Sequence, residues 1–168
     1  MTVRKPRVIN TQPIQTTFRH IDESSQLPTG DTPVGGAECG EKANCQRETL
    51  KRADKLERTV VKVVNKAKRR ALKDETVDSA EALEAKLQAV LSSNDKIDRA
   101  AGKLVKGVNR KCAVLQVLPD TIFSGDCGVE APDWPQFEAC VIEAARREAC
   151  LKINKFDGLT LDCGQADD

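Results

Sequence analysis

The stretch "ANCQRETLKRADKLERTVVKVVNKAKRRALKD", residues 43–74, decides how the chain is read. Apolar residues recur in it at Leu50, Ala53, Leu56, Val60, Val63/Val64, Ala67 and Ala71, in steps of three and four. Such spacing places them along one side of an α-helix. No Pro or Gly interrupts the run, and most other positions hold Lys, Arg or Glu, which are good helix formers. About 28 residues of helix would extend about 42 Å. The spacing therefore predicts a long basic helix whose single apolar stripe must be covered by other helices.

Three more helices follow in the pattern. "DSAEALEAKLQAVL" opens with Asp78 as N-cap and Glu81 three residues on, a capping-box arrangement. Its stripe is Ala80, Leu83, Leu87 and Val90/Leu91. "SSND" (92–95) is a turn that supplies the next cap. Ile97, Ala101, Leu104, Val108 and Cys112 then share a face, on a helix expected to run through "AVLQVL" to Pro119. Gly102 and Gly107 weaken it or admit a close neighbour. After a loop over 119–133, Asp133 caps the last helix, with Pro135 in its first turn and Gln136 at the capping-box position. Trp134, Phe137, Val141, Ala144/Ala145, Glu148 and Leu151 form its stripe. It should stop near Asn154, ahead of a turn at Asp157-Gly158.

The core that these helices can build is lean. In 168 residues there are no Tyr, one Trp and four Phe. Leu, Val, Ile and Ala must do the packing, which suits helices and leaves room for cross-links to matter. Seven cysteines are present: Cys39, Cys45, Cys112, Cys127, Cys140, Cys150 and Cys163. No C-x-x-C occurs and His20 is the only histidine, so zinc, thioredoxin-like and c-type haem patterns are missing. Disulfides in an oxidising compartment are the expected use. An odd count leaves one thiol free or shared between chains.

Three cysteines sit in acid-Cys-Gly tripeptides: Glu38-Cys39-Gly40, Asp126-Cys127-Gly128 and Asp162-Cys163-Gly164. They fall before, between and after the expected helices. Glycine lets the backbone bend toward a neighbour, so the tripeptides read as loop halves of staples to cysteines on helices. Cys112–Cys127 and Cys140–Cys163 are the preferred bridges, with Cys150 going to Cys39 or Cys45, although spacing alone leaves connectivity open. The neighbouring acids lack EF-hand or zinc-site spacing, so neither metal nor cofactor is expected.

Residues 1–37 read as an extended or flexible N-terminal arm, and 38–168 as the helical, disulfide-stapled domain. Pro6, Pro13, Pro28 and Pro33 interrupt the arm. Within it "RVINTQPIQTTFRHI" (7–21) has strand-like composition, with Pro13 permitting only an edge. Laid on a neighbouring subunit, the arm would anchor through Val8, Ile9, Ile14, Phe18 and Ile21. "MTVRKPRVINTQPIQ" has a basic start but no apolar signal core, so export implies a mature form from which the signal is absent. No run approaches the ~18 apolar residues of a membrane span.

A net charge of +1 hides an uneven distribution. Residues 46–74 hold eleven Lys/Arg against four Asp/Glu, a balance of +7. Residues 120–168 hold four against eleven, a balance of −7. Oppositely charged segments can pair within a molecule or between molecules. Lys62, Lys66, Arg69 and Arg70 in "KVVNKAKRR" are the candidate partner contacts. The run could touch phosphates, but it lacks the interleaved aromatics of single-strand binders, and no nucleic-acid partner is expected. Enzymatic readings find no support. His20, alone in the arm, cannot serve a nucleophile. Glu138, Glu143 and Glu148 advance by five and spiral around their helix, and no G-x-G-x-x-G or Walker pattern occurs.

Across residues 45–163 the chain resembles the cysteine-framed, Lys/Ala-rich helical proteins exported by environmental, myxobacteria-related bacteria. Cys45-Gln46 opening a basic helix, "DKIDRAAGKLVKGVNRKC" ending in Lys111-Cys112, and the following "SGDCG" carry the likeness. The resemblance implies export and helices, and brings no activity with it. The combined expectation is an all-α bundle of about four helices, secreted or at the cell surface. It would be a non-enzymatic structural protein that self-associates into a ring or filament. The alternative is a monomeric secreted binding module presenting its basic helix to an acidic ligand.

Overall fold

The computed structural model describes residues 36–164. The arm residues Val8, Ile9, Ile14, Phe18 and Ile21 lie outside the described residues. Helices α1 (Gly36–Lys73), α2 (Ala80–Ser92), α3 (Asp95–Lys111), α4 (Asp126–Glu130) and α5 (Trp134–Asp157) follow in order, with 3₁₀ turns at Ala113–Leu115 and Pro119–Thr121. No strand occurs among the described residues. The fold is the expected all-α, disulfide-stapled bundle: four long helices and a single-turn α4.

The long helix α1 starts at Gly36, seven residues earlier than the apolar pattern indicates. The boundary expected at 37/38 therefore falls in its first turn, and Glu38-Cys39-Gly40 is helical rather than a loop. A glycine inside a helix costs about 1 kcal/mol, too little to end one this long. Its buried face runs through Cys45, Thr49, Leu56, Val60, Val64 and Ala71. Leu50, expected in that stripe, is 67% exposed. The cause is Cys45, whose bridge to Cys112 sets the rotation of α1. Thr49, one turn on, then faces inward with its hydroxyl 3.6 Å from the Cys112 sulfur. Leu50 points about 100° away from it.

Helices α2 and α3 lie end to end along α1, both antiparallel to it. Lys86 of α2 donates to Thr76 just past the end of α1, whereas Arg110 of α3 reaches Glu48 near its start. The joint is Ser93-Asn94, where the Asn94 side chain caps α3 by accepting from the Lys96 amide. Ser79 caps α2 in place of the expected Asp78, accepting from the Ala82 amide at 3.1 Å. Helix α3 stops at Lys111 instead of running to Pro119. Gln116 takes a left-handed conformation (φ 55°), and Pro119 keeps Leu118 extended. The Trp134 indole N–H holds the turned segment by donating to the Val117 carbonyl at 3.0 Å.

Helix α5 runs in the same direction as α1. Its Lys152 meets Glu57 at 2.6 Å and its Asp157 meets Lys68 at 2.5 Å. Asp133 caps it as expected, accepting from the Gln136 amide at 2.9 Å. It passes Asn154 and ends at Asp157, where Gly158 (φ 65°) supplies the left-handed C-cap. In its second half the buried face is Ala145, Ala149, Cys150 and Ile153, leaving Glu148 and Leu151 exposed. Cys150 must face inward because the tail beyond Gly158 folds back to it. Leu56, Val60, Leu87, Ile97, Leu104, Val108 and Phe137 fill the core between the three columns. Three of the few aromatics close one end, with Phe137 tilted 31° against Phe123 at 4.5 Å and edge-on to Trp134 at 5.6 Å.

The disulfides are Cys45–Cys112, Cys127–Cys140 and Cys150–Cys163. None of the pairings preferred from sequence occurs. The antiparallel register of α1 and α3 brings Cys45 beside Cys112, with Cα atoms 5.0 Å apart. Cys127 on α4 then meets the second turn of the helix that follows it, and Cys163 in the returning tail meets Cys150. The last two bridges still join a cysteine outside the long helices to one on α5. The three tripeptides adopt three conformations. Around Cys39 the chain is helix. In α4, Gly128 packs so closely that a Cβ there would lie 2.2 Å from the Phe123 carbonyl oxygen. After Cys163, Gly164 (φ 69°) donates its amide to the Asp162 side chain at 3.0 Å.

Loop-closure entropy predicts unequal staples. Removing the Cys45–Cys112 bridge, which closes 67 residues, with a Cys45→Ala/Cys112→Ala double variant should cost about 4 kcal/mol. The Cys150→Ala/Cys163→Ala pair, closing 13 residues, should cost about 3 kcal/mol. Urea unfolding measures both, and non-reducing peptide mapping checks the three connections. Gly128→Ala should lose about 1–3 kcal/mol through the clash with the Phe123 backbone.

Candidate functional site

The charge asymmetry survives folding. Among the described residues a single ion pair, Lys68–Asp157, joins a cation of 46–74 to an acid of 120–168. The Lys152–Glu57 pair runs in the opposite sense, and the remaining pairs lie within one helix or involve α3. The basic excess of α1 is therefore displayed to solvent. Lys62, Lys66, Arg69 and Arg70 are all exposed. Lys66 and Arg70 line a groove of about 610 Å³ between α1 and the α2–α3 joint, together with Lys86 and Lys96, and Asp74 and Asp95. Lys62 and Arg69 stand outside it. A second groove of about 220 Å³, between α1 and α3, adjoins the first and shares Lys96 with it. Arg52, Lys55, Arg99 and Lys103 complete its charged wall, which contains no acid. Sequence reasoning passed over Lys96, Arg99 and Lys103. Their i, i+3, i+7 spacing was the available signal, but only the pairing of α3 with α1 sets Lys55 opposite them.

Among the described residues, five of the seven exposed large apolar side chains gather at the two ends of the bundle, while Leu50 and Leu151 stand on the flanks of α1 and α5. Val114, Leu118 and Val129 lie at the end where α1 begins and α3 finishes. Leu72 and Phe156, the latter 83% exposed, lie at the other, where α1 and α5 finish. Residues 36–44 of α1 continue beyond the Cys45–Cys112 bridge for about 13 Å. On one side the turn containing Val114, Leu115 and Val117 flanks Glu41 and Lys42. Cys39 belongs to this first stretch of α1. The six cysteines from Cys45 onward are closed in pairs with one another.

A third groove, about 520 Å³, lies between the α2–α3 joint and α5. Leu91 and Ile142 line it, with Glu143, Arg146 and Arg147 at its rim. Arg146 bonds Asp98 at 2.9 Å, although its Nε is buried without a partner. Among the described residues no cluster of three His, Cys, Asp or Glu could hold a metal ion. No described helix is long and apolar enough to cross a membrane.

Three ionisable groups are shifted. A hydrogen bond from Arg52 holds the Glu48 carboxyl below its usual range, against partial desolvation. The Glu57 carboxylate beside Lys152 raises that ammonium. Burial pushes the Glu138 carboxyl up, and its Oε1 has no hydrogen-bond partner. Comparison with protein-family models, curated proteins and solved structures gives no match to this chain.

Glu138 generates a prediction with a definite sign. A carboxyl whose pKa is raised by folding holds its proton more tightly in the native state. Its contribution is favourable at low pH and is lost as pH rises through the raised value. Glu138→Gln, which keeps the shape without the charge, should therefore raise Tm at neutral pH. Its gain should shrink as the pH is lowered toward the ordinary carboxylate range, as followed by thermal melts across that interval.

Proposed function

We propose that this is a non-enzymatic structural protein of the cell exterior that assembles with copies of itself, end to end. The observation that carries the reading is the placement of exposed apolar side chains at opposite ends: Val114, Leu118 and Val129 at one, Leu72 and Phe156 at the other. Two different patches that cover one another make a heterologous contact, which repeats into rings or filaments. Apolar surface left at both ends of a lean bundle is stabilised when a neighbour buries it. The three within-chain disulfides suit an oxidising compartment, in keeping with export. Cys39, the seventh sulfur, belongs to the projecting start of α1, where a neighbour's thiol could lock the contact. The arm, through Val8, Ile9, Ile14, Phe18 and Ile21, would strap the same junction.

The second reading is a monomeric module that presents basic surface to an acidic ligand. It is favoured by the paired basic grooves, whose cations are mostly without acidic partners.

Mass in solution, by sedimentation with and without reductant, separates the two. The expected result is an assembly larger than one chain. Val114→Glu and Phe156→Glu, each at an exposed position, should each block growth. Mixing the two variants should restore a dimer, because each retains one intact end. Cys39→Ser should lower the mass only when reductant is absent, and deletion of residues 2–35 should loosen the junction. A monomer at every concentration would overturn the assembly reading.

A further inference from the structure

The seam between α1 and α3 has no role in end-to-end assembly, since it lies along the side of the bundle. Its wall sets Arg52 and Lys55 of α1 against Lys96, Arg99 and Lys103 of α3. Arg52 bonds Glu48, and Arg99 sits 3.7 Å from Asp95. Lys55, Lys96 and Lys103 are exposed, and among the described residues none has an acid within ion-pair distance. Like charges facing one another across a groove repel, and a concave, low-dielectric wall concentrates their field. Through Lys96 the seam continues into the groove holding Lys66, Arg70 and Lys86, where cations outnumber the two acids, Asp74 and Asp95. From Arg52 to Arg70 the strip follows α1 for about 27 Å.

We infer that this strip is a docking surface for an acidic polysaccharide, a chain carrying sulfate or carboxylate groups at intervals. A narrow line of ammonium and guanidinium groups matches a linear polymer of anions better than a single small anion, which three cations would already neutralise. Lysine meets such groups as a point charge and arginine as a fork, so both serve without base-like recognition. Nucleic acid fits less well: neither groove contains an aromatic side chain on which a base could stack. A lipid surface fits less well too, because none of the large exposed apolar residues lines the strip. The disulfides suit an oxidising compartment, where such polysaccharides are the abundant polyanions.

The test uses the full chain with dextran sulfate and polygalacturonate as probes, followed by calorimetry at low and at physiological ionic strength. Binding is expected at both and should weaken with added salt. Lys55→Gln/Lys96→Gln/Lys103→Gln should lower the affinity about tenfold or more. Those side chains are exposed and outside the ion pairs, so Tm without polysaccharide should hold. Arg47→Gln/Lys111→Gln/Lys155→Gln removes the same charge elsewhere and should leave affinity nearly unchanged. Equal losses in the two triple variants would reduce the effect to net charge and overturn the proposal. So would absence of binding at low salt, or tighter binding to duplex DNA or to phosphatidylserine vesicles than to either polysaccharide.

Discussion

The antiparallel pairing of α1 with α3, closed by Cys45–Cys112, is the constraint on which the rest of the structure depends. It sets the rotation of α1, and so decides that Thr49 and Leu56 face inward while Leu50 does not. It also places Lys55 opposite Lys96, Arg99 and Lys103. With α3 fixed on the first half of α1, α2 covers the second half, and α5 packs along the side left open. Gly107 shows how closely the two helices approach, since a Cβ there would touch the Arg52 side chain at 3.4 Å.

The other two bridges act locally. Cys127–Cys140 holds the single turn α4 against α5, and Cys150–Cys163 holds the returning tail. That tail is also clamped by α2, through paired hydrogen bonds between Gln88 and the Asp162 backbone and a bond from the Thr160 amide to Glu84. Short elements like these bury little surface by themselves, so cross-links and side-chain clamps stand in for the packing that a core without Tyr lacks.

Electrostatics contributes little to holding the bundle together, because six of the eight ion pairs among the described residues have at least one exposed partner, and such pairs are worth at most about 1 kcal/mol each. The larger consequence of the charges is outward. A basic strip stays on α1 and α3, while the acids of α4 and α5 lie elsewhere. The end contacts proposed through apolar residues and the lateral contacts proposed through the strip are therefore compatible on one molecule.

By itself the sequence determined the class of the fold. Spacing of three and four without Pro or Gly dictates α1, Asp133 dictates the start of α5, and Gly158 its end. Seven cysteines without C-x-x-C spacing indicate staples rather than a metal site. These are local effects, written in neighbouring residues. Tertiary structure decided what local signals cannot carry. A hydrophobic stripe is legible only to within one residue in phase, so Leu50 and Leu151 looked as buried as their neighbours. Three like tripeptides became helix, single turn and Asx turn, because one lies within the long α1, one packs its glycine against Phe123 and one ends the returning tail. Disulfide partners and the basic seam both depend on which helices lie side by side, a property of the packed bundle that no single stretch of chain contains.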